Sequence, residues 1–158
     1  MEPLSNMHTN ITTADDILTA LEKAIHDEVM AAYQYWVASY LVRGQGKYDA
    51  VDIFKEHISQ ELEHADLLAE RIMELGGDLP RQVSDLISAG GTIYAIADRD
   101  SKSVSELIHQ AEANAVAKYT RLAEMTKDKD PVTHKIIVQI LQREQEHRYE
   151  ISELLDSF

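Results

Sequence analysis

The chain has no cysteine, only three prolines and six glycines, and just 6% aromatic residues in a length of 158. Without cysteine, disulfides, zinc ribbons and iron–sulfur clusters are excluded, which fits a cytoplasmic protein. So few helix breakers leave room for few turns and long elements. No run of apolar residues approaches the roughly 18 needed for a membrane span, so none is expected. The start, Met1-Glu-Pro-Leu-Ser-Asn6, has neither the basic region nor the apolar segment of a signal peptide. The first 22 residues contain no Lys or Arg, and the formal net charge is −13. A basic DNA-gripping tail at this end is thereby excluded, and no DNA binding is expected.

What is present is an ordinary globular composition, 44% hydrophobic and 27% charged. It predicts one domain with a sizeable core over residues 14–158 behind a flexible tail over 1–13. Helical periodicity with start and stop signals marks four long amphipathic segments, so the fold class is all-α. The first runs from Ala14 to Arg43, with Thr13 as N-cap, Asp15 and Asp16 in its first turn, and Gly44-Gln45-Gly46 as its end. The second runs from Tyr48 to Leu75 and stops at Gly76-Gly77. The third starts at Ser103, where Ser103-Val-Ser-Glu106 reads as a capping box, and ends near Lys127. Asp130-Pro131 caps the fourth, which continues nearly to Phe158.

Between the second and third segments lie 26 residues, Gly77 to Lys102, with room for a short helix over Arg81–Ala89 ended by Gly90-Gly91. A simple antiparallel turn needs about 2–8 residues. A connection this long travels the whole bundle and makes the third helix parallel to the second. One long crossover in a four-helix bundle is ferritin-like connectivity.

Two Glu-x-x-His motifs stand out, Glu61-Leu-Glu-His64 and Glu144-Gln-Glu-His147. Glu28 precedes Glu61 by 33 residues and Glu112 precedes Glu144 by 32. The midpoints of these two pairs fall inside the first and last predicted turns. Each glutamate therefore sits about 16 residues from its turn, roughly 24 Å at 1.5 Å per residue, and all four reach one level of the bundle. A third copy, Glu106-Leu-Ile-His109, lacks such a partner and is read as a decoy whose glutamate serves the capping box. Phe54, Ile58, Leu68 and Ile72 share a stripe with Glu61, and Ile137, Ile140, Leu141, Ile151 and Leu155 share one with Glu144, so these acids point into the core. Buried carboxylates demand metal, partner charge or protonation.

Carboxylate oxygen with imidazole suits iron, and manganese too. The arrangement expected is Glu28 and His64 on one metal, Glu112 and His147 on the other, with Glu61 and Glu144 bridging. Tyr35 and Tyr119 stand seven residues after Glu28 and Glu112 and are expected to orient ligand carboxylates. Trp36 is read as packing. His57, with Glu56 and Gln60, is read as a surface histidine in preference to an auxiliary iron site. His8, His26 and His134 receive no role.

Glu28, Glu61-x-x-His64, Glu112 and Glu144-x-x-His147, spanning Ile17 to Leu155, resemble the di-iron centre of the ferritin-like superfamily and its bacterioferritin branch. The resemblance implies two iron ions per subunit and a ferroxidase that uses O₂ or H₂O₂. It also implies a ferric mineral stored in a hollow homo-oligomer, with protection from peroxide. Haem-binding members carry methionine after the first bridging glutamate, where this chain has Leu62, so no haem is expected. Only 11 residues follow His147, too few for the fifth helix of the larger shells. The crossover is closer to the twelve-subunit Dps-like type, which points to a dodecamer. Dps sites usually lie between subunits, whereas this ligand set is complete within one chain. The cysteine pair many Dps-like relatives carry near the metals is missing. The runner-up is a non-storage di-iron oxidase or oxygenase acting on an organic substrate, and the third reading is a non-catalytic metal buffer or structural bundle.

Overall fold

A computed structural model describes residues 13–88 and 94–158. The predicted N-terminal tail with His8, apart from Thr13, and the Gly90-Gly91 stop lie outside the described residues. Four long helices, α1 (Ala14–Leu41), α2 (Lys47–Glu74), α4 (Ser101–Thr126) and α5 (Pro131–Asp156), are joined by a crossover carrying the short α3 (Val83–Ser88). None is long and apolar enough to cross a membrane, among the described residues.

Local chemistry sets the ends. Thr13 accepts from the Asp16 backbone while Asp16 reaches back to the Thr13 N–H, a closed capping box. Gly46 enters α2 in a left-handed conformation, φ 69°, and Phe158 packs where a side chain there would stand. Two boundaries of the long helices are displaced by two residues: α1 ends at Leu41, short of the predicted Arg43, and α4 starts at Ser101, where Asp100 is the N-cap and Ser103-Val-Ser-Glu106 forms no capping box. The cause is tertiary. The Arg43 carbonyl accepts from Ser101 N at 2.8 Å and Arg43 N donates to the Arg99 carbonyl at 2.7 Å, so the end of α1 fixes where α4 begins. Ser103 Oγ is drawn to Asp98.

That contact also establishes topology. α4 starts beside the C-terminal end of α1, while Gly77, just past α2, lies against Leu18 near the start of α1. The crossover therefore spans the bundle, and α4 runs parallel to α2. α1 packs chiefly on α2 and α4 on α5, whereas α1 and α4 touch sparingly.

The apolar core is split in two. One plug contains Leu21, Leu68, Ile72, Ile137 and Ile140, and the other Phe54, Val104, Ile108, Ile151 and Leu154. Between them lies a polar layer at mid-height. Asp130 ties the last turn to α2, accepting from Val132 N, Thr133 N and Thr133 Oγ1 and pairing with Arg71 at 2.8 Å. Burial pushes the Asp130 carboxyl up, but the Thr133 and Arg71 contacts outweigh it and hold it at about 2. Because that value is depressed, the contribution is present above the unfolded value of 3.8 and is lost as pH falls through about 2. Asp130→Ala is expected to cost about 1–2 kcal/mol in urea unfolding at pH 7. The gap to wild type should narrow at pH 3; a gap that widens in acid would contradict the assignment.

Candidate metal centre

The polar layer is built by one glutamate each from α1 and α4 and one Glu-x-x-His turn each from α2 and α5. Glu28, Glu61, His64, Glu112, Glu144 and His147 are all 1–3% exposed. Spacing of three on a helix puts each glutamate and its histidine on one face, and the two apolar plugs aim those faces at each other. Glu28, Glu61, His64 and Glu144 bring ligand atoms within 4.8 Å of one another, and so do Glu61, Glu112, Glu144 and His147. The two groups share Glu61 and Glu144. Glu106 is exposed and its motif partner His109 only half-buried, so the third motif stays out of this layer.

In the interior the imidazoles and carboxylates crowd one another. His64 Nδ1 lies 3.3 Å from Glu28 Oε2, 3.3 Å from Glu61 Oε2 and 3.1 Å from Glu144 Oε1. His147 Nδ1 lies 3.2 Å from Glu61 Oε1 and 3.8 Å from Glu112 Oε2. Two atoms bound about 2.1 Å from one ion at about 90–110° to each other would sit roughly 3.0–3.4 Å apart. Glu61 Oε1, Glu112 Oε2, Glu144 Oε1, His64 Nε2 and His147 Nδ1 are buried with no hydrogen-bond partner. Native interiors rarely leave such atoms without a hydrogen bond; here Glu144 Oε1 has an ion-pair contact with His64 Nδ1 at 3.1 Å, and cations between the helices would compensate the group.

Outer contacts orient these groups. Tyr35 donates a short hydrogen bond to Glu112 Oε1, and Tyr119 donates one to Glu28 Oε1. Each tyrosine thus serves the glutamate of the other hairpin, a crossing that spacing along one helix did not indicate. Gln60 Nε2 donates to Glu56 Oε1 at 3.3 Å, which turns Gln60 Oε1 to His147 Nε2 at 2.6 Å. His147 Nε2–H is then the donor, and its Nδ1 lone pair faces the acids. Glu56 and Gln60 therefore orient a candidate ligand and do not join His57 in an auxiliary site. His57 itself is no surface residue. It is fully buried, 2.9 Å from the Tyr35 hydroxyl and 2.7 Å from Glu150 Oε2, and stacked on His147. Burial, then the neighbouring His147, holds its pKa down to about 4.

Electrostatics follow from crowding. Burial, then the charge of Glu144, raises Glu61 and Glu112 well above the ordinary carboxylate range. Burial lowers His64, but contacts with Glu144, Glu28 and Glu61 outweigh it and push the imidazole up to about 12. Burial also raises Glu28, yet there Lys118 and His64 win and hold it well below the usual value. Burial, then Glu112 or Glu28 respectively, raises the Tyr35 and Tyr119 phenols. No sequence motif marks Lys118. Its position six residues after Glu112, immediately before Tyr119, was the available signal. Among the other assignments, Trp36 is 51% exposed and its ring lies against those of Tyr33 and Tyr40 on the outer face of α1. His134 Nδ1 contacts the Ala123 carbonyl, and Leu62 projects outward, 46% exposed.

Comparisons with known proteins agree with this architecture. The DNA protection during starvation protein of Pyrococcus furiosus is 30% identical over 144 residues, 89% of this chain and 77% of that protein. A bacterioferritin of Desulfovibrio desulfuricans is 26% identical over 83% of this chain and 69% of its own. Among solved structures, the bacterioferritin-related protein of Bacteroides fragilis, described as a dodecameric thioferritin, superposes with a TM-score of 0.84 at 29% identity. That match covers 92% of this chain and 87% of that one. Dps from Staphylococcus aureus, at 16% identity and a TM-score of 0.85, covers 92% of this chain and 98% of its own and shares the fold. The match to the ferritin-like domain runs over residues 18–158 and takes in every residue of the mid-height acidic layer, so the chain belongs to the ferritin-like family.

Proposed function

We propose that the protein oxidises Fe(II) at a paired-metal centre within each subunit and stores the ferric product in a hollow homo-oligomer, limiting peroxide damage. Iron is the substrate. Glu28 and His64 hold one ion, Glu112 and His147 the other, and Glu61 and Glu144 bridge them. The observation that carries this reading is the pair of overlapping ligand groups sharing Glu61 and Glu144, with buried polar atoms left without a hydrogen bond among them. Bound iron supplies the electrons that O₂ or H₂O₂ accepts. The chain's own part is to keep four carboxylates at one level, exclude bulk water with two apolar plugs, and steady the ligands through Tyr35, Tyr119 and Gln60.

Assembly is supported from outside the bundle. Tyr33, Trp36 and Tyr40 form an exposed aromatic row, at 53%, 51% and 68%, of the kind buried when subunits associate. The B. fragilis relative is described as dodecameric, and a dodecamer is the assembly proposed here. Light scattering with metal analysis tests the reading. Twelve chains and two irons per chain are expected, and a species below tetramer size would eliminate a storage cage. Stopped-flow absorbance after mixing with Fe(II) and oxidant should develop a ferric-oxo signal; silence would leave a metal buffer. Despite the name of the P. furiosus relative, a chain of net charge −13 should give no salt-sensitive gel shift with duplex DNA at physiological salt. Protection of DNA would then operate by removing iron and peroxide.

A further inference from the structure

The two halves of the bundle match in their acids and tyrosines but differ at the residue just before each tyrosine. It is Gln34 in one half and Lys118 in the other. Both line a groove of about 520 Å³ between α1 and α4 that reaches all four buried glutamates. His64 and His147 do not line it and approach the centre from α2 and α5 on the far side. Gln34 turns toward the crossover, donating to the Tyr94 carbonyl at 3.1 Å and accepting from Tyr94 N at 3.4 Å. Lys118 turns toward the acids. Its Nζ is 2.9 Å from Glu28 Oε1 and 3.4 Å from Asp27 Oδ2, and it lies over the Tyr119 ring at 4.5 Å.

Charge makes this asymmetry consequential. Four carboxylates and two divalent ions sum to zero. An ammonium left on Glu28 would repel an ion bound to the same carboxylate, in a site with little solvent to screen it. Asp27 offers an alternative partner, already within reach and, at 27% side-chain exposure, closer to solvent than Glu28. No comparable cation touches Glu112 among the described residues.

Building on the paired-metal reading above, we propose that Lys118 is a resident cation that makes the two metal positions unequal. The first ion settles with Glu112 and His147. The second joins Glu28 and His64 as the Lys118 ammonium moves from Glu28 to Asp27. Until that ion arrives, Lys118 and Tyr119 both hold Glu28 Oε1, and Oε2 faces His64.

Calorimetric titration of the assembled protein with Zn(II) tests this, using wild type, Lys118→Gln (which copies Gln34) and Asp27→Asn. Wild type should bind two ions per chain in separate steps. Lys118→Gln should tighten the second step roughly ten- to hundredfold, leave the first within a few-fold, and lower the melting temperature of the metal-free form. A merely structural role would weaken both steps. Asp27→Asn removes the alternative partner and should weaken the second step roughly tenfold, an effect that vanishes in the double variant. If wild type binds two ions but the second step in Lys118→Gln is unchanged or weaker, the inference is overturned and the paired centre stands. If wild type never takes a second ion, the paired centre falls and the inference with it. Should Lys118→Gln fail to fold, Asp27→Asn decides alone, and an unchanged second step there is the overturning result.

Discussion

Glu61→Ala should reduce metal uptake from two ions per chain to one or none and slow Fe(II) oxidation by roughly 100-fold or more, because it removes the ligand proposed to be common to both ions. The bundle should survive. Glu61 is 1% exposed and burial and Glu144 keep it from ionising, so truncation removes no charge that the metal-free fold relies on and opens only a small cavity. Glu61→Gln separates loss of the ligand from loss of packing, since it keeps the volume but cannot ionise to meet a metal. Glu106→Ala, in the exposed third motif, is the matched control and should change neither stoichiometry nor rate. Metal analysis and circular dichroism on the same samples decide the matter. A folded Glu61→Ala protein that still carries two ions would refute the bridging assignment.

The same residue illustrates what could be read from the chain beforehand. Height matching about two turns needed only helix rise and turn position, and both were encoded locally, by Thr13, the glycines at 44, 46 and 76, and Asp130-Pro131. The structure accordingly gathers the six proposed ligands and leaves Glu106 outside. What was illegible depended on contacts between distant segments. The start of α4 moved to Ser101 because Arg43, 58 residues earlier, supplies the partners for its first turn. His57 reads as a surface residue in the sequence because it lies among polar neighbours. Yet it is four residues before Glu61, one turn along the same buried stripe, and its polarity is met by Tyr35 and by Glu150 from α5. Lys118 does not stand out in the sequence, because a lysine on a long helix is ordinarily solvated; its apolar stem reaches past Tyr119 to bring the ammonium to Glu28.

Zinc affinity should climb steeply between pH 6 and pH 8, by about tenfold per pH unit for each proton the metal displaces. The metal-free centre stores protons that a metal must expel. Burial and mutual repulsion keep Glu61 and Glu112 protonated well above the usual carboxylate range, and three carboxylates hold His64 charged up to about 12. Ligation requires carboxylates and a neutral imidazole, so binding drives these protons into solvent, and higher pH favours the bound state. The sign for the metal-free fold is opposite. Carboxyls whose folded values are raised contribute stability that is fully present below the unfolded value of 4.5 and is lost as pH rises through the raised ones. The metal-free bundle should therefore melt lower at pH 8 than at pH 6 from this source, and bound zinc should reverse the order. Titration in two buffers of different ionisation enthalpy counts the protons directly. Zinc affinity that is flat from pH 6 to pH 8, with no proton release, would mean that the buried acids are already ionised without metal. Lys118 and the histidines would then have to balance their charge unaided.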